Sequence, residues 1–378
     1  IISPHFPRAH RHFCMRLHEV GARVLGIDQV PLSDELKCCM HDYYQVSDLH
    51  HYSELMQACH YFQARYGPIH RIESHNEHWL ESQAKLATEF QVEGLKFHSL
   101  SQIKQKSEMK KVFKQAGLTP ARGGLVETLE EALALAHELG YPVILKPDIG
   151  VGASGCVKIK NEFDLRQFFA SNPSHPYVME EFIDAVICSF DGLVDRVGNL
   201  LFAASHTYVG IAEVVQKGLD QSFYSLREIP QDLEEAGRAT LAAFNVKERF
   251  FHFEYFRTKE RLIPIEVNMR PPGYPTLDMC NFACDIDLYH WWAEVVAGKA
   301  RSPAYECKYH CISLSRRHHN RYRYSHEEVL AIGKEMIVYH NSVPPLFQGT
   351  LGDHLYVARA PHLEQLHHFQ KQVHMQVS

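Results

Sequence analysis

Two stretches past the middle of the chain alternate apolar and polar residues with a period of two, as half-buried strands do. Phe251, Phe253 and Tyr255 alternate with His252 and Glu254; Ile263, Ile265 and Val267 alternate with Glu266 and Asn268. The pattern predicts strands over 250–257 and 261–267, joined by a turn at Thr258-Lys259-Glu260. With Arg257 paired to Arg261, Glu254 faces Pro264 and Glu266 lies two positions along the same face, a diagonal of roughly 7–8 Å. Glu254, Glu266, Asn268 and Arg270 then share the polar face. Two carboxylates held this close repel each other. A hard cation with oxygen ligands relieves the repulsion, and Mg²⁺ is the usual one where phosphates are handled. A half-buried hairpin with a merely solvated polar face shows the same alternation.

Residues 1–98 alternate strand and helix. Ile1-Ile2-Ser3, Ala22 to Ile27, Tyr43 to Val46 and Pro68 to Ile72 read as strands, with helices over 8–20, from Ser47 to Tyr66, and to Phe90. Such alternation predicts a small parallel sheet covered on both faces. Ser74-His75-Asn76-Glu77 fits a capping box. It also sits just past a strand's carboxyl end, where open α/β sheets bind ligands, so His75 and Glu77 are candidate substrate contacts as well as capping residues. Residues 101–117 form a basic amphipathic helix with Ile103, Met109, Val112, Phe113 and Ala116 on its buried stripe. Thr128 and Glu131 form a second capping box, opening a helix that stops at Gly140.

Tyr141 to Lys160 reads as strand, glycine-rich loop, strand. Lys146 ends the first strand, and Gly150, Gly152, Ser154 and Gly155 are small enough for backbone N–H groups to approach phosphate oxygens. A hairpin loop that needs glycine looks the same. Further strands are expected at 177–183, 186–194, 199–205 and 309–315, and helices at 230–245, 285–297, 326–336 and 362–373.

Composition narrows the class. The chain has 378 residues, 45% of them hydrophobic and 22% charged, enough for two or three globular domains. A net charge of −6 gives no bulk case for nucleic acid. No apolar run approaches the ~18 residues of a membrane span. The 10 cysteines show no CxxC pair and are expected as reduced thiols in a cytoplasmic protein. The 27 histidines are scattered without zinc-type spacing and read as a compositional habit.

Taken in order, these motifs resemble the ATP-grasp superfamily over essentially the whole chain. The resemblance implies a mixed α/β fold: a Rossmann-like pre-ATP-grasp domain over 1–98, a two-part ATP-grasp domain over 99–300 with a lid at about 118–183, and a small carboxylase-like α/β segment over 301–378. By the same resemblance Lys106 and Lys146 are nucleotide lysines. Gly150, Gly152, Ser154 and Gly155 belong to the phosphate lid. Glu180, Glu181 and Ile183 form the adenine hinge, with the Glu180 side chain accepting from the adenine amino group. Glu254, Glu266 and Asn268 are metal ligands, and Arg270 faces the reacting oxyanion. Many members carry a ribose-binding acid where this chain has Ile187, so Asp191 or another residue is expected to take its place. Gly273, Tyr274, Thr276 and Asp278, with His75 and Glu77, would line the substrate pocket.

The function implied is an ATP- and Mg²⁺-dependent carboxylate–amine ligase, with Mn²⁺ as an acceptable substitute metal. It would join small-molecule substrates through an acyl phosphate, with no nucleic-acid or membrane partner and with a homodimer as a compatible assembly. The alternatives are a biotin-carboxylase-like enzyme and a non-catalytic nucleotide-binding protein.

Overall fold

The computed structural model describes residues 1–150, 155–173, 175–208, 218–299 and 304–377. Three sheets organise them. The strands Leu25–Asp28 (β1) and Asp42–Gln45 (β2) form a parallel pair. Gly123–Val126 (β3), Val143–Pro147 (β4), Val157–Ile159 (β5) and Tyr177–Glu181 (β6) form an antiparallel sheet in the order β3-β6-β4-β5. The largest sheet is built from Val186–Val194 (β7), Leu200–Tyr208 (β8), Ser222–Ser225 (β9), Arg249–Arg257 (β10), Leu262–Asn268 (β11), His310–Arg316 (β12), Ile337–Ser342 (β13) and His354–Ala360 (β14). Its order is β11-β10-β7-β8-β9-β12-β14-β13, so strands from beyond residue 300 continue the sheet that carries Glu254 and Glu266.

Alternation explains how the large sheet packs. Phe251, Phe253 and Tyr255 are fully buried with Phe190 and Val267 on one face, each such side chain stabilising the fold by about 1.5–3 kcal/mol. The helix Gln231–Ala243 covers that face. It comes close because residue 237 is glycine; a Cβ there would lie 2.2 Å from the Phe190 ring. Phe250 and Phe202 point the other way, into a core with Phe13, Met279 and Trp292. Both faces of this sheet are therefore covered, and the polar residues of β10 and β11 occupy one end of an otherwise apolar face.

Several expectations need correction. Pro68 to Ile72 is not a strand; only an isolated bridge between Arg71 and Glu93 forms there. Ser74 and Glu77 do not make a capping box. Ser74 Oγ donates instead to Gln83 at 2.8 Å, and Asn76 caps the short 3₁₀ turn Glu77–Trp79. The basic helix is broken at Gln105, whose extended backbone pairs with Ile149, into Leu100–Lys104 and Lys106–Gln115. The amide of Lys106 donates to the Asp148 carbonyl at 2.9 Å, so the break is held by the end of β4. The helix Thr276–Cys284 is a separate element ahead of the helix Leu288–Val296, which falls within the stretch expected at 285–297. Cys284 and Cys307 were expected as thiols but are bonded to each other, with Cα atoms 4.2 Å apart. The amides of Lys308 and Tyr309 both donate to the Ala283 carbonyl, which returns the chain to that helix end. The capping box of Thr128 and Glu131 forms as expected, and the helix it opens, Leu129–Leu139, ends at Gly140.

Candidate active site

The hairpin register is tighter than the sequence suggests. Arg257 pairs with Leu262, and a bulge between Glu254 and Tyr255 leaves Glu254 directly opposite Glu266 rather than opposite Pro264. Tyr255 takes Pro264 as its partner, and Ile265 is the extra residue on β11. Proline cannot donate to a ladder and is tolerated in strands mainly at bulges or edges, so Pro264 was the available signal. Directly opposed side chains start about 4.5–5.5 Å apart at Cβ, closer than the diagonal. Burial first, and then the neighbouring Glu254 and Glu77, push the Glu266 carboxyl above its usual range, while Lys106 acts against the rise. Asn268 Nδ2 donates to Glu266 Oε1 at 3.1 Å.

Glu254 is held from behind. His252, two residues earlier on the same face of β10, lies with Nε2 3.0 Å from Glu254 Oε1 and with Nδ1 on Asp191 Oδ1. Asp191 also binds His206 Nδ1 at 2.7 Å and accepts from Ser189 Oγ at 2.5 Å. Burial opposes a charged His252, but Asp191 and Glu254 outweigh it and raise the imidazole to about 10. Asp191 is only 1% exposed, and both of its oxygens are engaged. It is therefore a support beneath Glu254, not the exposed acid a ribose would need. Sequence reasoning missed His252 and His206; the signal for His252 was its period-two phase with Glu254.

Lysines converge from the small sheet and the broken helix. Lys146 Nζ donates to Glu180 Oε2 at 2.7 Å, and Lys110 contacts Glu180 Oε1. Burial works against charge on Lys146, yet Glu180 prevails and holds the ammonium above its usual range. Glu180 is correspondingly lowered despite its burial, by Lys146 and then Lys110. Its two oxygens are thus each committed to a lysine, so adenine would have to compete for an acceptor expected to be free. Lys110, absent from the sequence reading, sits one turn after the buried Lys106 on the helix Lys106–Gln115. Glu181 accepts from the Arg122 amide and guanidinium, both at 2.9 Å, and Ile183 lies half-buried just past β6.

Of the glycine loop, Gly150 and Gly155 are described; Gly152 and Ser154 lie outside the described residues. Gly155 has φ +74°, and a Cβ there would lie 2.8 Å from the Pro147 ring, so a larger residue would strain the return into β5. Arg270 donates from Nη2 to Glu77 Oε2 at 2.7 Å and to Asn268 Oδ1 at 3.3 Å. Glu77 thereby reaches the site from the N-terminal region. His75 does not: it stacks on Phe13 at 3.8 Å and meets Trp292 edge-on at 4.3 Å within the core. Gly273 is exposed. Tyr274 donates its hydroxyl to Tyr339 at 2.9 Å, and Thr276 is buried at the start of the helix Thr276–Cys284. A surface cavity of about 570 Å³ between Leu200, Arg238 and Tyr305 includes none of these residues.

Asp278, on that same helix, accepts from the Tyr289 hydroxyl at 2.8 Å, and burial pushes its carboxyl up to about 6. An unfolded Asp titrates near 3.9. A folded value raised in this way makes the ionised form costly, so stability is lost as pH rises from about 4 to about 6 and stays lost above. Asp278→Asn keeps the oxygen acceptor and removes the charge. It is expected to stabilise the chain at pH 7.5 by on the order of 1–2 kcal/mol, discounted for partial exposure, and to change nothing at pH 4. Urea midpoints at the two pH values check this; equal gains at both would assign the effect to packing.

Residues 104–185 match the family model described as the carbamoyl-phosphate synthase L chain, ATP binding domain. The chain also aligns over nearly its full length with a solved L-amino acid ligase from Bacillus licheniformis, with a TM-score of 0.75, 14% identity, and coverage of 96% of this chain and 94% of that one. The chain has the ATP-grasp fold. A second ATP-grasp neighbour is the biotin carboxylase domain of the Hydrogenobacter thermophilus 2-oxoglutarate carboxylase, solved with MgADP. It has a TM-score of 0.64 and 16% identity over 93% of this chain and 84% of that one. At these identities the likeness shows the shared fold. Among curated proteins, the C-terminal section of the carbamoyl phosphate synthase large chain from Methanopyrus kandleri is 26% identical over 151 residues, 38% of this chain. The match spans only 27% of that relative's length.

The site offers a set of donors suited to a hard cation. Two facing carboxylates, one of them raised by burial and by the like charges of its neighbours, with the Asn268 amide beside them, fit Mg²⁺ with its preference for oxygen. Among the described residues, no helix is long and apolar enough to cross a membrane.

Proposed function

We propose that this ATP-grasp chain is an ATP- and Mg²⁺-dependent carboxylate–amine ligase that forms an amide through an acyl phosphate and releases ADP and phosphate. The observation that carries the reading is the facing pair Glu254 and Glu266, with Asn268 and Arg270 beside them and Lys106 and Lys146 alongside. Glu254, Glu266 and Asn268 would hold the metal, which when bound supplies positive charge to the nucleotide phosphates; Mn²⁺ would serve in its place. Lys106 and Lys146 would bind phosphate oxygens, with Glu180 fixing Lys146 in place. Gly150 to Gly155 would cover the phosphates and exclude water. Arg270, now paired with Glu77 and Asn268, would turn its guanidinium to the substrate oxyanion. A substrate carboxylate oxygen attacks the γ-phosphorus and the bond to ADP breaks. The amine then attacks the acyl carbon and inorganic phosphate leaves, having taken the carboxylate oxygen.

Small-molecule carboxylates and amines are the partners this chemistry requires, and Tyr274, Thr276 and Asp278 would contact them. A screen of paired carboxylates and amines for ADP release with Mg-ATP identifies the substrates. With the productive carboxylate labelled in ¹⁸O, one label per turnover is expected in inorganic phosphate. Label in AMP, or amide formed with no label in phosphate, rejects the acyl phosphate.

A further inference from the structure

At the opposite edge of the large sheet, far in strand order from β11, three histidines gather that no part of the ligase reading uses. His340 lies on β13 and His354 on β14. The antiparallel register pairs His340 with Tyr356 and Ser342 with His354, which puts both histidines on one face as diagonal neighbours. The third, His326, is the first residue of the helix His326–Ile332, fixed there by a capping box between Ser325 and Glu328. Ring centroids are 4.5 Å apart for His326 and His354, 5.3 Å for His326 and His340, and 5.8 Å for His340 and His354. One ligand nitrogen from each lies within 4.8 Å of the other two.

We propose that His326, His340 and His354 form a binding site for a divalent transition metal of the zinc class. Three observations carry it. His354 Nε2 is buried without a hydrogen-bond partner, which ordinarily costs about 1–3 kcal/mol unless something takes the lone pair. His326 Nδ1 lies 2.7 Å from the Tyr356 hydroxyl, so when Nδ1–H donates to it, Nε2 is the free lone pair, as metal-bound imidazoles are oriented by a second partner. His340 is exposed and can turn its ring toward the other two. Nitrogen ligands of one tetrahedral zinc stand roughly 3.3–3.4 Å apart, so closure needs side-chain rotations of about 1 Å and no movement of the strands. Imidazole ligands with no carboxylate among them favour zinc, cobalt or nickel over Mg²⁺, which separates this site chemically from the Glu254 and Glu266 pair. Arg316, directly opposite His354 in the β12–β14 ladder, directs Nε and Nη1 to the Val373 and Tyr324 carbonyl oxygens, and its Nη2 is buried without a partner.

The test is a Co²⁺ titration of the chelator-treated full chain, followed by absorption and then by competition with Zn²⁺. One equivalent of Co²⁺ with the intense visible bands of a tetrahedral site is expected, displaced by one equivalent of Zn²⁺. His340→Ala, at an exposed position, is expected to weaken binding by at least about tenfold, and His354→Ala likewise. His368→Ala, an exposed histidine elsewhere, serves as the control and should bind as the parent does. Circular dichroism of the metal-free proteins verifies that each is folded. Equal affinity in His340→Ala and the parent, equal weakening in His368→Ala, or weak binding of several equivalents with octahedral bands would each overturn the site.

Discussion

Glu266→Gln is expected to lower ADP formation by at least about a thousandfold, roughly 4 kcal/mol of transition-state stabilisation, while leaving the protein folded. The substitution keeps the oxygen that accepts from Asn268 Nδ2 and removes the charge that a cation would bind. It also removes a carboxylate that burial, Glu254 and Glu77 already push toward its neutral form. The metal-free variant should therefore be at least as stable as the parent. These two readouts separate a ligand from a structural residue: a purely structural carboxylate would lose stability along with activity. Turnover within tenfold of the parent at limiting Mg²⁺ would remove Glu266 from the metal set.

His252→Leu is expected to destabilise the chain by about 3 kcal/mol, because it leaves Asp191 buried with His206 and Ser189 but without its second histidine. Breaking a buried pair from one side costs about 3–5 kcal/mol, whereas removing both charges is close to neutral. The double substitution His252→Leu with Asp191→Asn should recover at least half of the loss, which a cycle of urea midpoints measures. Turnover should fall in both variants, since Glu254 loses the imidazole that holds one of its oxygens. A double variant no more stable than His252→Leu alone would mean that charge burial is not what the histidine relieves.

Both predictions centre on residues that a linear reading treats unequally. Glu254 and Glu266 stand out from alternation alone, and the glycine loop and Lys146 from their placement at a strand's end. The support beneath them does not. Asp191, expected at the nucleotide, is an internal acid because β7 pairs residue by residue with β10 and brings it opposite His252. Glu180, read as an adenine acceptor, has its oxygens taken by lysines from β4 and from the broken helix. His75, placed past a strand end on paper, is folded into an aromatic core by Phe13 and Trp292. In each case the deciding partner lies tens to hundreds of residues away.

Local signals determined much of this protein. Period-two alternation set the strands of the central hairpin, capping and glycine stops set the helix Leu129–Leu139, and the order of lysine, glycine loop and paired acids pointed to ATP-grasp, because these depend on neighbours a few residues apart. Tertiary structure alone decided the rest. The bulge at Ile265 sets Glu254 against Glu266, since a ladder must accommodate Pro264 without its N–H. The pairing of β9 with β12 carries the sheet beyond residue 300, and β14 and β13 extend it. The β13–β14 register brings His340 and His354 together, and a helix start adds His326. Three histidines spaced 14 residues apart carry no motif in the sequence; only strand register and a helix start make them neighbours.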